Sequence, residues 1–143
     1  MKEIIKYPNC FVCGERNAHG LKARFYQEEQ SAVTEVVATD SHEGYRGIYH
    51  GGVLSALLDE VMVKAILAVD RYAVTAELTV RFRLPVFVGD RLRCVGRIVR
   101  HKGRMYLTEG EAVRDDGAIV ATASGKYIEA DDALRERLLD SID

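Results

Sequence analysis

Residues 51–69, GGVLSALLDEVMVKAILAV, make a helix-length segment that is apolar nearly all the way round. At about 100° per residue, Leu54, Leu57, Leu58, Val61, Ala65 and Ala68 cover one side, while Met62 and Ile66 fall near the opposite side with Asp59. A helix of this kind does not lie on a surface; other elements must cover it on most sides. The rest of the chain offers strands for that purpose. VTAELTVRFRL (74–84) alternates: Val74, Ala76, Leu78, Val80, Phe82 and Leu84 are apolar, and the residues between them are polar. A period of two is the pattern of a half-buried strand. Three more strand-like runs follow at roughly 90–100, 104–115 and 118–129, separated by the turn residues VGD (88–90), HKGR (101–104) and DDG (115–117). Upstream, residues 21–39 read as two extended runs joined by a polar turn, and residues 40–49 as a loop. The tail 131–143 suits a short helix capped by Asp131 or Asp132. Gly96, Gly110 and Gly125 stand inside strands, where glycine often marks a bend. The pattern predicts an α+β fold: two strands, one long helix and a four-stranded meander, with a curled antiparallel sheet wrapped around the central helix.

With 143 residues, 48% of them apolar, the chain suits one domain over 1–143 with a sizeable core. It has 20 Lys plus Arg against 22 Asp plus Glu, which gives no bulk charge to favour nucleic acid or an anionic membrane. No stretch has the features of a signal peptide, and none reaches the ~20 apolar residues of a membrane span. A cytoplasmic protein is expected. Three cysteines, an odd number, fit reduced thiols.

The polar residues of the apolar helix carry the functional reading. Asp59 and Glu60 sit where a carboxylate is costly unless it is paired, hydrogen-bonded or open to a cleft. The helix begins His50-Gly51-Gly52. Without side chains, Gly51 and Gly52 let another molecule approach the backbone, and the first turn has unpaired N–H groups at the positive end of the helix dipole. Such a turn suits a developing oxyanion. Asp59 lies eight residues beyond Gly51 and about 80° round the wheel, so it can border the same cleft and either activate water or attack a carbonyl. His50 reads as an N-cap or hydrogen-bond anchor, and Glu60 as a group that reaches solvent or a partner chain. Spacing alone leaves a structural and a catalytic Asp59 evenly matched.

The segment HGGVLSALLDE (50–60) closely resembles the helix start of hotdog-fold acyl-CoA thioesterases of the phenylacetate-degradation type. VTAELTVRFRLPVFVGD and GRMYLTEGEAVRDDGAIVATASGKY are similar to later strands of that family, and so is the opening CFVCG…N…GL to one of its branches. The resemblance covers roughly residues 20–130. It implies an acyl-CoA or acyl-carrier-protein thioester as substrate, hydrolysis without a cofactor, and sheets joined between two subunits in a homodimer or homotetramer. It makes Asp59 the general base or nucleophile, the Gly51 N–H the oxyanion donor, His50 the residue that fixes the turn, and Thr75 a holder of the water or carboxylate. Gly52 and Gly44 are expected to line the substrate site. Some relatives carry Asn where this chain has Gly44, and often Pro where it has Arg46; the Asn role falls to His42, Glu43 or Tyr45, or is unfilled. A hotdog protein that senses acyl-CoA without cleaving it is the alternative, and a hydratase ranks third.

Two features stand apart. Arg100, Lys102 and Arg104 form a basic group suited to the phosphates of coenzyme A or to a carrier protein, against a background of solvated strand faces. Cys10 and Cys13 have C-x-x-C spacing, with His19 six residues on. A structural zinc site normally needs four ligands, the fourth here from Cys94, another histidine or a second chain. A redox pair lacks the strand–helix context it normally has. The favoured reading is a packed N-terminal segment over 1–20 with no metal.

Overall fold

The computed structural model describes residues 1–142, so Asp143, the end of the expected tail, lies outside the described residues. Helix α1 spans Gly51–Leu67 and is buried over most of its surface: Leu54, Leu57, Leu58, Val61, Met62 and Ile66 are all within the core, while Asp59, Glu60 and Val63 are partly buried. Each such side chain contributes about 1.5–3 kcal/mol on burial. The cover is one antiparallel sheet of seven strands: β1 (Lys2–Glu3), β2 (Tyr26–Glu28), β3 (Ser31–Val37), β4 (Ala73–Phe82), β5 (Arg91–Lys102), β6 (Met105–Arg114) and β7 (Ile119–Glu129). Strands β3 to β7 all pack on α1. Helix α2, Asp132–Asp140, follows β7, and Asp131 Oδ1 accepts the Leu134 N–H at 2.9 Å as its cap. Among the described residues no helix is long and apolar enough to cross a membrane.

Three findings differ from expectation. First, the last four strands do not form a meander. The sheet order is β1-β2-β3-β5-β6-β7-β4, so only β5, β6 and β7 are joined in sequence, and β4 lies at the far edge beside β7. The connection 83–90 is pinned to the loop before α1: Tyr49 N donates to Val86 O, Val88 N to Gly47 O and Gly89 N to Ala38 O, at 2.8–2.9 Å. These bonds carry the chain across the start of α1 to β3, where β5 pairs. Second, residues 2 and 3 form a strand, β1, that the short polar start did not suggest. Third, the glycines inside β5 and β6 have a packing role. Gly96 and Gly110 face each other across the two strands. A Cβ on Gly96 would stand 2.5 Å from Val61 O, so the absent side chain lets the α1 backbone lie directly on the sheet.

One irregularity positions the site. The alternation of β4 is broken by a bulge: Thr75 pairs with Tyr127, but Glu77 pairs with Lys126, leaving Ala76 extra. Strict alternation would put Thr75 on the face opposite Leu78. The extra residue puts both on the face that meets α1, because Thr75 opposes Tyr127 and Leu78 opposes Gly125, two positions on one face of β7.

Candidate active site

Asp59 sits on the third turn of α1, half-buried, under β4 and β7. Its carboxylate is held from one side. Tyr127 OH donates to Oδ1 at 2.8 Å and Thr75 Oγ1 donates to the same Oδ1 at 2.9 Å. The Tyr127 hydroxyl also lies 3.0 Å from the Asp59 carbonyl. Oδ2 has no hydrogen-bond partner among the described residues. Burial, followed by the adjacent Asp59 carboxylate, raises the Tyr127 phenol well above its ordinary value, so it stays protonated as a donor.

The start of α1 forms a second part of the arrangement. His50 is extended (φ −64°, ψ 130°), and its Nδ1 accepts the Gly52 N–H at 2.8 Å. His50 N is fixed in turn by His42 O at 2.9 Å. The cap therefore uses the Gly52 N–H and leaves that of Gly51 without an acceptor among the described residues. Gly51, His50, Gly44, Tyr45, Phe82 and Leu84 border a largely apolar cleft of about 660 Å³. Of the three residues considered for the missing Asn, two are engaged in the loop: His42 Nδ1 is hydrogen-bonded to Thr39 Oγ1 at 3.1 Å, and Glu43 Oε2 accepts the Gly47 N–H at 2.9 Å. Tyr45 is 84% exposed and stands on the cleft rim.

The sequence-derived residues thus fall into groups. Asp59 and Thr75 meet directly; His50, Gly51, Gly52 and Gly44 meet at the helix start. The two groups are about 12 Å apart along the α1 axis, eight residues of helical rise, and Asp59 does not border the Gly51 cleft. Arg100, Lys102 and Arg104 surround the β5–β6 hairpin. That is the Asp59 end of the sheet, since Thr75, Tyr127, Tyr106 and His101 are successive partners across β4, β7, β6 and β5. Arg104 is occupied with Glu129 O at 2.8 Å.

Tyr127 was not singled out from sequence. The available signal was GKY (125–127): a Cβ on Gly125 would lie 2.6 Å from the Tyr127 ring, so the small residue makes room for the ring two positions on. Glu60 also differs from expectation. It turns to the N-terminal segment, 3.6 Å from Lys64 Nζ, and burial pushes its carboxyl up to about 7.

A model of the thioesterase superfamily matches residues 46–121, the stretch that includes His50, Gly51, Asp59 and Thr75. A phenylacetic acid degradation-related protein of Ralstonia eutropha JMP134 is 28% identical, with a TM-score of 0.69 over 76% of this chain and 85% of that one. A Streptococcus mutans UA159 protein, solved bound to acetyl CoA, shares the fold at 19% identity, with a TM-score of 0.71 over 76% of this chain and 88% of that one. Among curated sequences, a 3-hydroxyacyl-[acyl-carrier-protein] dehydratase of Granulibacter bethesdensis is 33% identical over 68% of this chain and 63% of its own length. The chain spans 57–65% of the length of the curated relatives it matches.

Proposed function

The chain belongs to the thioesterase superfamily and has the hotdog fold, and from that premise we propose that it hydrolyses an acyl-CoA thioester to the free acid and CoA. The observation that carries this reading is the one-sided hold on Asp59: two hydroxyls fix Oδ1, and Oδ2 is left to act. In this reading the thioester carbonyl oxygen takes the Gly51 N–H, which stabilises the oxyanion as it forms. Asp59 Oδ2 either removes a proton from the attacking water or attacks the carbonyl carbon itself. The C–S bond then breaks and the CoA thiolate leaves, giving the free acid directly in the first case; in the second, water must then cleave the acyl–Asp59 anhydride to release the acid and restore the carboxylate.

The separation of about 12 Å between Gly51 and Asp59 along one helix favours a site shared by two copies, with Gly51 from one and Asp59 from the other. The form of β4 supports that arrangement. It is a ten-residue strand with an unpaired edge, no residue beyond Ala73 is buried, and Phe82 is 53% exposed. Natural sheets seldom leave such an edge bare. The acetyl CoA of the S. mutans relative fits this substrate class, and Arg100 and Lys102, beside Arg104, are the cations we assign to its phosphates.

Asp59→Asn tests the assignment. With thiol release from a panel of acyl-CoAs as the measurement, turnover is expected to fall by about 10²–10⁴-fold, the usual contribution of a positioned acid–base group, with the circular dichroism spectrum unchanged. Wild-type turnover in that variant would remove Asp59 from the mechanism. Tight acyl-CoA binding by the unaltered protein, with no thiol released, would favour a sensor.

A further inference from the structure

Away from the proposed active site, the N-terminal segment crosses the middle of α1 and brings Cys10, Cys13 and Glu60 together. One ligand-type atom from each, two Sγ and a carboxylate oxygen, lie within 4.8 Å of one another. The loop that presents the sulfurs is fixed by its backbone. Gly14 N donates to Cys10 O at 2.9 Å, and Cys10 N to Tyr7 O at 3.0 Å. Backbone N–H groups also point at both sulfurs: Val12 N and Cys13 N lie 3.3 and 3.5 Å from Cys10 Sγ, and Tyr7 N lies 3.5 Å from Cys13 Sγ. N–H groups aimed at sulfur favour a thiolate. Cys10 and Glu60 open on a cleft of about 450 Å³ that Asn9 and Asp140 also border.

Lys64 sets the charge balance. It is 0% exposed, and its ammonium donates to Ile5 O and to Cys13 Sγ at 3.4 Å, with Glu60 Oε2 at 3.6 Å. A buried ammonium requires one compensating anion. Three acidic groups surround this one. Glu60 receives no hydrogen bond among the described residues beyond the loose pairing with Lys64. Two thiolates and a carboxylate sum to −3; a divalent ion together with Lys64 sums to +3.

We propose that Cys10, Cys13 and Glu60 bind a zinc-type divalent ion, with a solvent molecule from the cleft as the fourth ligand. Two soft thiolates select zinc over magnesium or calcium, and a carboxylate completes three protein ligands. Metal–sulfur bonds of about 2.3 Å in a tetrahedron set ligand atoms about 3.8 Å apart, so closure from atoms within 4.8 Å of one another requires a movement of at most about 1 Å. Lys64 then serves as an outer partner that donates to Cys13 Sγ and holds it in place. The ion pins the N-terminal segment to α1. This inference does not depend on the thioesterase reading.

The test uses the reduced 143-residue chain. Zinc is measured by elemental analysis after dialysis against metal-free buffer, and Co²⁺ is titrated as a spectroscopic substitute. The expected result is one equivalent of zinc, with a cobalt spectrum showing thiolate charge transfer and the strong visible bands of a tetrahedral ion. Cys10→Ser and Cys13→Ser should lose that spectrum, and Glu60→Gln should weaken zinc binding by about tenfold or more. Cys94→Ser, a buried cysteine of β5 outside the cluster, should keep full binding. Absence of thiolate charge transfer in the unaltered protein overturns the proposal, whatever the variants do. So does binding that is indifferent to Cys10→Ser or Glu60→Gln.

Discussion

In the proposed mechanism, the two hydroxyls on one carboxylate oxygen divide the work within Asp59, with Oδ1 as the anchor and Oδ2 as the working atom. Tyr127 and Thr75 are then positioning residues, and removing one should change rate more than affinity. Tyr127→Phe deletes one hydrogen bond to a charged acceptor, a loss of about 1.5–3 kcal/mol, or roughly 10–100-fold in turnover. KM is expected to stay near its wild-type value, because no substrate contact is removed. A large rise in KM with unchanged kcat would show that Tyr127 serves binding instead. At this scale the sequence was informative about some residues and silent about others. Asp59 was legible because a carboxylate in an apolar helix needs a reason. Thr75 came from family likeness alone, since alternation put it on the face opposite Leu78; the bulge at Ala76 that turns it to Asp59 leaves no mark in a period-two pattern. Tyr127 contacts Asp59 across 68 residues of chain, a distance that no local periodicity spans. Glu60 reads from sequence as facing solvent or a partner because Cys10, its neighbour in space, lies in the N-terminal segment fifty residues earlier; only Lys64, one turn on along α1, is local.

At the scale of elements, the helix and the long strands were legible within a few residues because burial writes their periods directly into the sequence. Strand order was not, because alternation tells which face of a strand is apolar and nothing about its neighbour. The turn VGD before β5 looked like a hairpin, yet its residues bond to the loop before α1 and carry the chain across the fold. The glycines of β5 and β6 suggest bends from sequence; that they also allow the close seating of α1 is not legible there. The close seating gives a stability prediction. Gly96→Ala places a Cβ 2.5 Å from Val61 O, a backbone atom that cannot rotate away. Either the helix lifts or the strand moves, at a cost of about 1–3 kcal/mol. The urea midpoint should fall while the slope stays constant. A variant as stable as the parent would mean that α1 has slack over β5, and the close-packing explanation of Gly96 would be wrong.

At the scale of the whole molecule, the question is whether one copy suffices. Gly51 and Asp59 lie on one rigid helix about 12 Å apart, so no bending of the chain brings both to one carbonyl. A site shared between copies predicts complementation. Asp59→Asn removes the carboxylate and leaves the helix start intact. Gly51→Pro removes the N–H that has no acceptor and keeps α1. Proline is favoured at a first helical position, the extended His50 before it is compatible with proline, and a Cβ there meets only the Phe82 ring at 3.5 Å. Each variant alone should lose about 10²-fold or more in turnover. Mixed in equal amounts, unfolded and refolded together, half of the resulting dimers carry one copy of each. In such a dimer one shared site collects both defects and the other has neither, so the mixture should recover about a quarter of wild-type turnover. A site contained within one chain predicts no recovery at any ratio, because every helix then lacks one of its two groups. Sedimentation velocity on the same mixture shows whether the copies associate at all, so an inactive mixture of dimers argues against the shared site, and an inactive mixture of monomers argues against β4 as the joining edge.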